Sequence, residues 1–146
     1  MKPRDCWPVL EKKAQEEVDL AVAAVAAVRK NIDHLQSRRQ QLLAMYAEYK
    51  LKMEERQQEL HSMADGANQR QFMGHLLQLV DRIDGDLKKA HVDLVKAREA
   101  QREADQKRVK MSSLVEQDLL RVKVYERKKE QRQMDALGIT LFNLKT

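Results

Sequence analysis

Residues 18–63 read VDLAVAAVAAVRKNIDHLQSRRQQLLAMYAEYKLKMEERQQELHSM, and the spacing of the apolar side chains in this stretch decides the fold. One set is Val18, Val25, Ile32, Tyr46, Met53 and Leu60; the other is Ala21, Val28, Leu35, Leu42, Tyr49 and Met63. Only Arg39 and Arg56 interrupt the two series. Apolar residues that alternate at three and four positions form a seam along one side of a helix, and that seam needs a partner helix to cover it.

Working outward, the repeat stops at Ser62-Met63-Ala64-Asp65-Gly66-Ala67-Asn68, where Asp-Gly and the nearby Asn predict a turn. A second seam then begins at Met73 and passes through Leu76, Val80, Ile83, Leu87, Ala90, Leu94 and Ala97. It thins to Gln101, Ala104, Arg108, Met111 and Val115 and runs out through Val122 and Tyr125. No proline follows Pro8, so nothing interrupts two very long helices. Pro8 itself suits the first turn of a helix, and Gly138 suits a place just past the end of one. The expected fold is all-α, two long helices in an antiparallel coiled-coil hairpin that forms a single domain over 1–146. Helix 1 is expected over about 8–63, the turn over about 64–70, helix 2 over about 71–137 and a tail over 138–146. Folding about Gly66 would set Trp7 level with Tyr125. The competing architecture is one continuous helix in a parallel dimer; the central turn residues and the matched seams favour the hairpin, monomeric in isolation.

Composition agrees. Charged residues make up 35% of the 146 and aromatics only 4%, the mixture of a long helix rather than a compact globule. The same numbers would suit a disordered chain, but disorder has no use for ordered apolar spacing. The net charge of +5 is spread among 28 basic and 23 acidic residues, which mainly keeps a helical surface soluble. Nucleic-acid binding would need a one-sided basic stripe with stacking aromatics, and the sequence has none. Cys6 is the only cysteine, so no intramolecular disulfide is possible. No apolar signal-peptide core follows the N-terminus, and the apolar run from Leu20 to Val28 is too short to span a bilayer. A cytoplasmic location is expected.

Chemistry-bearing patterns are absent. The glycines stand apart at 66, 74, 85 and 138, so there is no phosphate-cradling loop. His34, His61, His75 and His91 are not at the one-turn spacing that lets two imidazoles share a metal. Cys6 has no nearby histidine to deprotonate it. No catalytic residue, metal ligand or cofactor site is expected.

Three stretches exceed what a bare seam requires. Val22, Ala24 and Ala27 make the Leu20–Val28 segment apolar on every side. Phe72, Leu77 and Leu79 lie beside the second seam rather than on it. Between Arg121 and Asp135 there are six basic residues (Arg121, Lys123, Arg127, Lys128, Lys129 and Arg132) against three acidic ones, and the apolar tail Leu137 to Leu144 follows. That last combination suggests insertion into a partner.

Four motifs then fall in a familiar order: Ala14-Gln15-Glu16-Glu17-Val18-Asp19, Tyr46-Ala47-Glu48-Tyr49-Lys50, Arg70-Gln71-Phe72, and Lys128-Lys129-Glu130-Gln131-Arg132-Gln133-Met134-Asp135. In order, spacing and total length the chain resembles FliJ, the coiled-coil stalk protein of the bacterial flagellar type III export apparatus. The resemblance implies a non-enzymatic stalk whose terminal end enters the hexameric export ATPase. It implies contact with the cytoplasmic linker of the export-gate membrane protein, escort of export chaperones, and peripheral association with the inner membrane. It assigns gate binding to Phe72, Leu76, Leu79 and Ile83, the first two matching in identity and the last two in place only. ATPase-ring contact is assigned to Arg121, Lys123, Arg127, Lys128, Arg132 and Met134, although Met134-Asp135-Ala136-Leu137 departs from the family's Met-Asp-Glu-Phe. The stalk subunit of a virulence injectisome is the nearest alternative, and a generic structural or nucleic-acid-binding coiled coil the alternative of another class.

Overall fold

The computed structural model describes residues 2–56 and 63–145. Two helices account for nearly all of them: α1, Cys6–Arg56, and α2, Met63–Lys145. Both are built largely from Ala, Leu, Glu, Lys, Arg and Gln, which lose little side-chain freedom in a helix. Pro8 is the third residue of α1, where its missing N–H costs nothing. The described residues contain no strand, and the two helices pack as an antiparallel coiled-coil hairpin.

The chain divides into two compact units. In the middle unit, Val22–Ala100, Val25 and Ile32 of α1 are buried, as are Leu76, Val80, Ile83 and Ala90 of α2. Leu35, Leu42, Tyr46, Tyr49 and Met53 line the rest of the α1 side at half-burial, facing Met73, Leu87, Leu94 and Ala97. Arg39, which interrupts the first seam, stays on it and reaches across to Asp84 at 2.6 Å. Tyr49 meets Phe72 with ring centroids 4.8 Å apart. Higher numbers on one helix thus meet lower numbers on the other, the antiparallel sense.

The terminal unit joins Met1–Ala21 to Gln101–Thr146. Its seam is more polar. Ala14 is buried, while Trp7, Glu11, Val18 and Ala21 are half-buried, as are Gln101, Ala104, Arg108, Met111 and Val115. A small residue such as Ala14 lets the helices approach closely, and the aliphatic stem of Arg108 covers apolar surface while its guanidinium turns out to Asp105 at 2.8 Å. Lys107 bridges to Glu17 of α1 at 3.2 Å.

Three expectations need correction. The segment 64–70 is not a turn: α2 has begun by Met63, and Asp65 lies in its first turn, where a carboxylate suits the positive end of the helix dipole. The pairing is not centred on Gly66. In each unit the cross-helix partners centre on about residue 61, and the Arg4–Asp118 contact sets Trp7 level with about residue 115 rather than with Tyr125. Nor does helix 2 stop near 137: Gly138 has no positive φ and α2 continues through it to Lys145. The expected end of helix 1 near 63 falls largely on residues outside those described.

Candidate partner-binding surfaces

The first candidate surface belongs to the middle unit. Phe72, Leu76, Leu79 and Ile83 follow one another at offsets of four, three and four, so all lie toward one side of α2. Burial separates them into two pairs. Leu76 and Ile83 sit on the seam at 3% and 8% exposure, whereas Phe72 and Leu79 keep 38% and 45% of their surface in solvent. Phe72 is steadied from behind by its tilted stack on Tyr49, and the Lys52 ammonium lies 5.6 Å from the centre of the Tyr49 ring. Leu77, also exposed, lies on the opposite edge of the seam. An exposed aromatic and an exposed leucine about two turns apart, backed by buried neighbours, form a firm apolar ridge that a partner can cover.

The second candidate surface is the end of α2 in the terminal unit. Arg4 is level with residue 118, and α2 continues from there to Lys145, roughly 40 Å at the helical rise. Residues 127–145 are exposed throughout. Of the basic residues expected to contact an ATPase, Lys123, Arg127, Lys128 and Arg132 project freely to solvent-exposed positions, and Met134 is exposed beyond them. Arg121 differs, because its guanidinium holds Asp118 at 2.7 Å.

Asp118 escaped the sequence reading. It occupies a seam position and is 7% exposed. Its Oδ2 accepts the Arg4 backbone N–H at 2.7 Å, and its Oδ1 accepts from Arg121. The Arg4 hydrogen bond holds its carboxyl below the usual carboxylate range; desolvation opposes this, and the hydrogen bond and charge of Arg121 reinforce it. Continuing the count of three and four from Met111 and Val115 lands on this residue, so the signal was present in the spacing. Its partner, a backbone N–H 114 residues away, was not.

Among the described residues no group of three or more His, Cys, Asp or Glu could hold a metal ion, and no helix is long and apolar enough to cross a membrane. Cys6 is an exposed free thiol. With a seam, an apolar ridge and an exposed helical end in place, comparison with protein families returns the model described as Flagellar FliJ protein over residues 8–146. The chain belongs to the FliJ family. Comparison with curated proteins and with solved structures each gave no match. FliJ-family membership gives it a stalk-type role in the flagellar export apparatus and in protein transport, within a family of structural and chaperone-escort proteins rather than enzymes.

Proposed function

We propose that this chain is the central stalk that links the hexameric export ATPase to the cytoplasmic linker of the export-gate membrane protein and that escorts export chaperones. It works by binding, without hydrolysing ATP itself, and is monomeric when alone. The observation that carries this reading is the division of labour along α2. One ridge, Phe72 and Leu79, stands exposed over a buried seam, and a separate basic and apolar end extends beyond the start of α1. Two surfaces well separated in sequence on one α-helix suit a part that engages two partners. Gate binding falls to Phe72 and Leu79 directly, with Leu76 and Ile83 setting the ridge from the seam. ATPase contact falls to Lys123, Arg127, Lys128, Arg132 and Met134, with Arg121 anchoring the base of the exposed segment.

The decisive experiment replaces Phe72 and Leu79 together by alanine. Burying a large apolar side chain contributes roughly 1.5 to 3 kcal/mol, so affinity for the gate's cytoplasmic domain should fall by about two orders of magnitude or more. Motility should fall with it. Normal gate binding by the folded double variant would put the gate site elsewhere.

A further inference from the structure

The apolar stretch Leu20–Val28 has more exposed surface than the seam uses, and neither partner of the stalk takes it up. Within the middle unit, Phe72 and Lys52 both lie against Tyr49, which marks one edge of the seam. The other edge carries two lines of side chains. On α1 the line is Val22, Ala26, Arg29 and Asp33; on α2 it is Asp84, Lys88, His91, Val95 and Arg98, in steps of four and three. Apart from Asp84 all of these residues are exposed, Val22 by 46% and Val95 by 67%. The centre of pairing sets Val95 level with about residue 27, beside Ala26, so the apolar side chains of the two lines share one stretch of the edge. Charge is divided between the edges as well. Among the described residues, Arg29, Lys88 and Arg98 hold no ion pair. Asp84 is occupied by Arg39, and Asp33 is the remaining carboxylate of the two lines. Asp86 and Asp93 stand on the far edge, in line with Phe72 and Leu79, beside Lys89 and Lys96.

Two valines and an alanine among three uncommitted cations fit a helix that has an apolar stripe and acidic flanks. We propose that this edge, Val22, Ala26 and Arg29 of α1 with Lys88, Val95 and Arg98 of α2, docks an acidic amphipathic α-helix of a partner protein. The partner's apolar stripe covers Val22, Ala26 and Val95, and its carboxylates take up Arg29, Lys88 and Arg98. The small side chain of Ala26 lets it come close. From Lys88 to Arg98 the edge runs about 15 Å, about three turns of helix. Neither line carries an aromatic side chain on which a base could stack, which disfavours a nucleic acid. This goes beyond the stalk reading, which gives this edge no partner, and does not depend on it.

The probe is a fluorescently labelled synthetic peptide of about 21 residues, with Leu at heptad spacing and Glu on both flanks. It is titrated with the full chain and read by anisotropy. Binding is expected with a Kd below about 100 μM at low salt, weakening as salt rises. The same peptide with Gln for each Glu should bind at least about tenfold more weakly. Val22→Asp with Val95→Asp should lower affinity for the acidic peptide at least about tenfold, since it puts two carboxylates where the apolar stripe docks. Arg29→Gln with Arg98→Gln should lower it about fivefold and flatten the salt dependence. Leu51→Asp, at an exposed leucine elsewhere on α1, should change nothing. All these side chains are exposed, so circular dichroism should be alike for every variant. An acidic peptide that does not bind overturns the proposal. So does a Val22/Val95 variant that binds like the intact chain, or a Leu51 variant that binds as poorly as it does. Duplex DNA bound more tightly than the peptide, and lost with the same two arginines, would make the edge a nucleic-acid site and overturn it too.

Discussion

Asp118 stands where the spacing asks for an apolar side chain, and it is tolerable there because both its oxygens are engaged. Its carboxyl is held below the ordinary value of 3.8, so the unfolded chain takes up this proton more readily than the folded one. The stabilisation is therefore fully present above about pH 4 and is lost as pH falls through the folded-state value. Asp118→Asn should melt below the unaltered chain between pH 5 and 8, and the gap should close as the pH drops below about 4. A gap of constant size down to acid pH would show that the charge is not what matters. Gly85 makes the opposite case. It lies inside α2 without a positive φ, and a Cβ built there meets nothing within 4 Å. Gly85→Ala should therefore stabilise the fold by about 1 kcal/mol, seen as a higher melting midpoint. Position 85 reads from sequence as a mere helix weakness, and the structure adds that no contact opposes the repair.

Helix α2 is the element in which packing and exposure alternate within a single turn. Leu76→Ala removes a buried seam side chain and should cost about 2 to 3 kcal/mol of stability. The Phe72 and Leu79 pair is different: truncating it should cost about 1 kcal/mol, mostly the aromatic contact with Tyr49, while weakening the proposed gate binding about a hundredfold or more. Melting curves beside binding curves separate the two effects. If the ridge variant melts as low as the Leu76 variant, the ridge is core. Much of this was legible beforehand, because the apolar seam residues of the middle unit, Val25 to Met53 and Met73 to Ala97, are buried or half-buried, while Phe72, Leu77 and Leu79 beside the seam are exposed. The stack of Phe72 on Tyr49 was not legible, since it depends on the register between helices. Spacing is indifferent to sliding one helix by a whole heptad. The Arg39–Asp84 pair marks that register; as a half-exposed ion pair it contributes at most about 1 kcal/mol.

At the scale of the molecule, a chain cut after Tyr125 should keep every cross-helix contact described, including Arg4 with Asp118, and lose the exposed end of α2. Its melting should be nearly unchanged, while its effect on the partner ATPase disappears. A truncated chain that still stimulates the ATPase would move that contact elsewhere. Sedimentation of the intact chain should return a mass near 17.1 kDa; twice that value would contradict the monomer. The amino-acid sequence by itself determined the helices, the side of each that is buried and the family, because apolar periodicity and motif order are properties of local spacing; it favoured the antiparallel hairpin over a continuous helix, and the cross-helix pairs established that sense. Only the tertiary structure decided where the pairing is centred, that Asp65 and Gly66 begin α2 rather than bend the chain, and that Gly138 lies within a helix. Placing Gly66 inside a helix costs only about 1 kcal/mol relative to Ala. Burying Leu76, Val80 and Ile83 against α1 outweighs that cost, and so the packing of the seam sets the register.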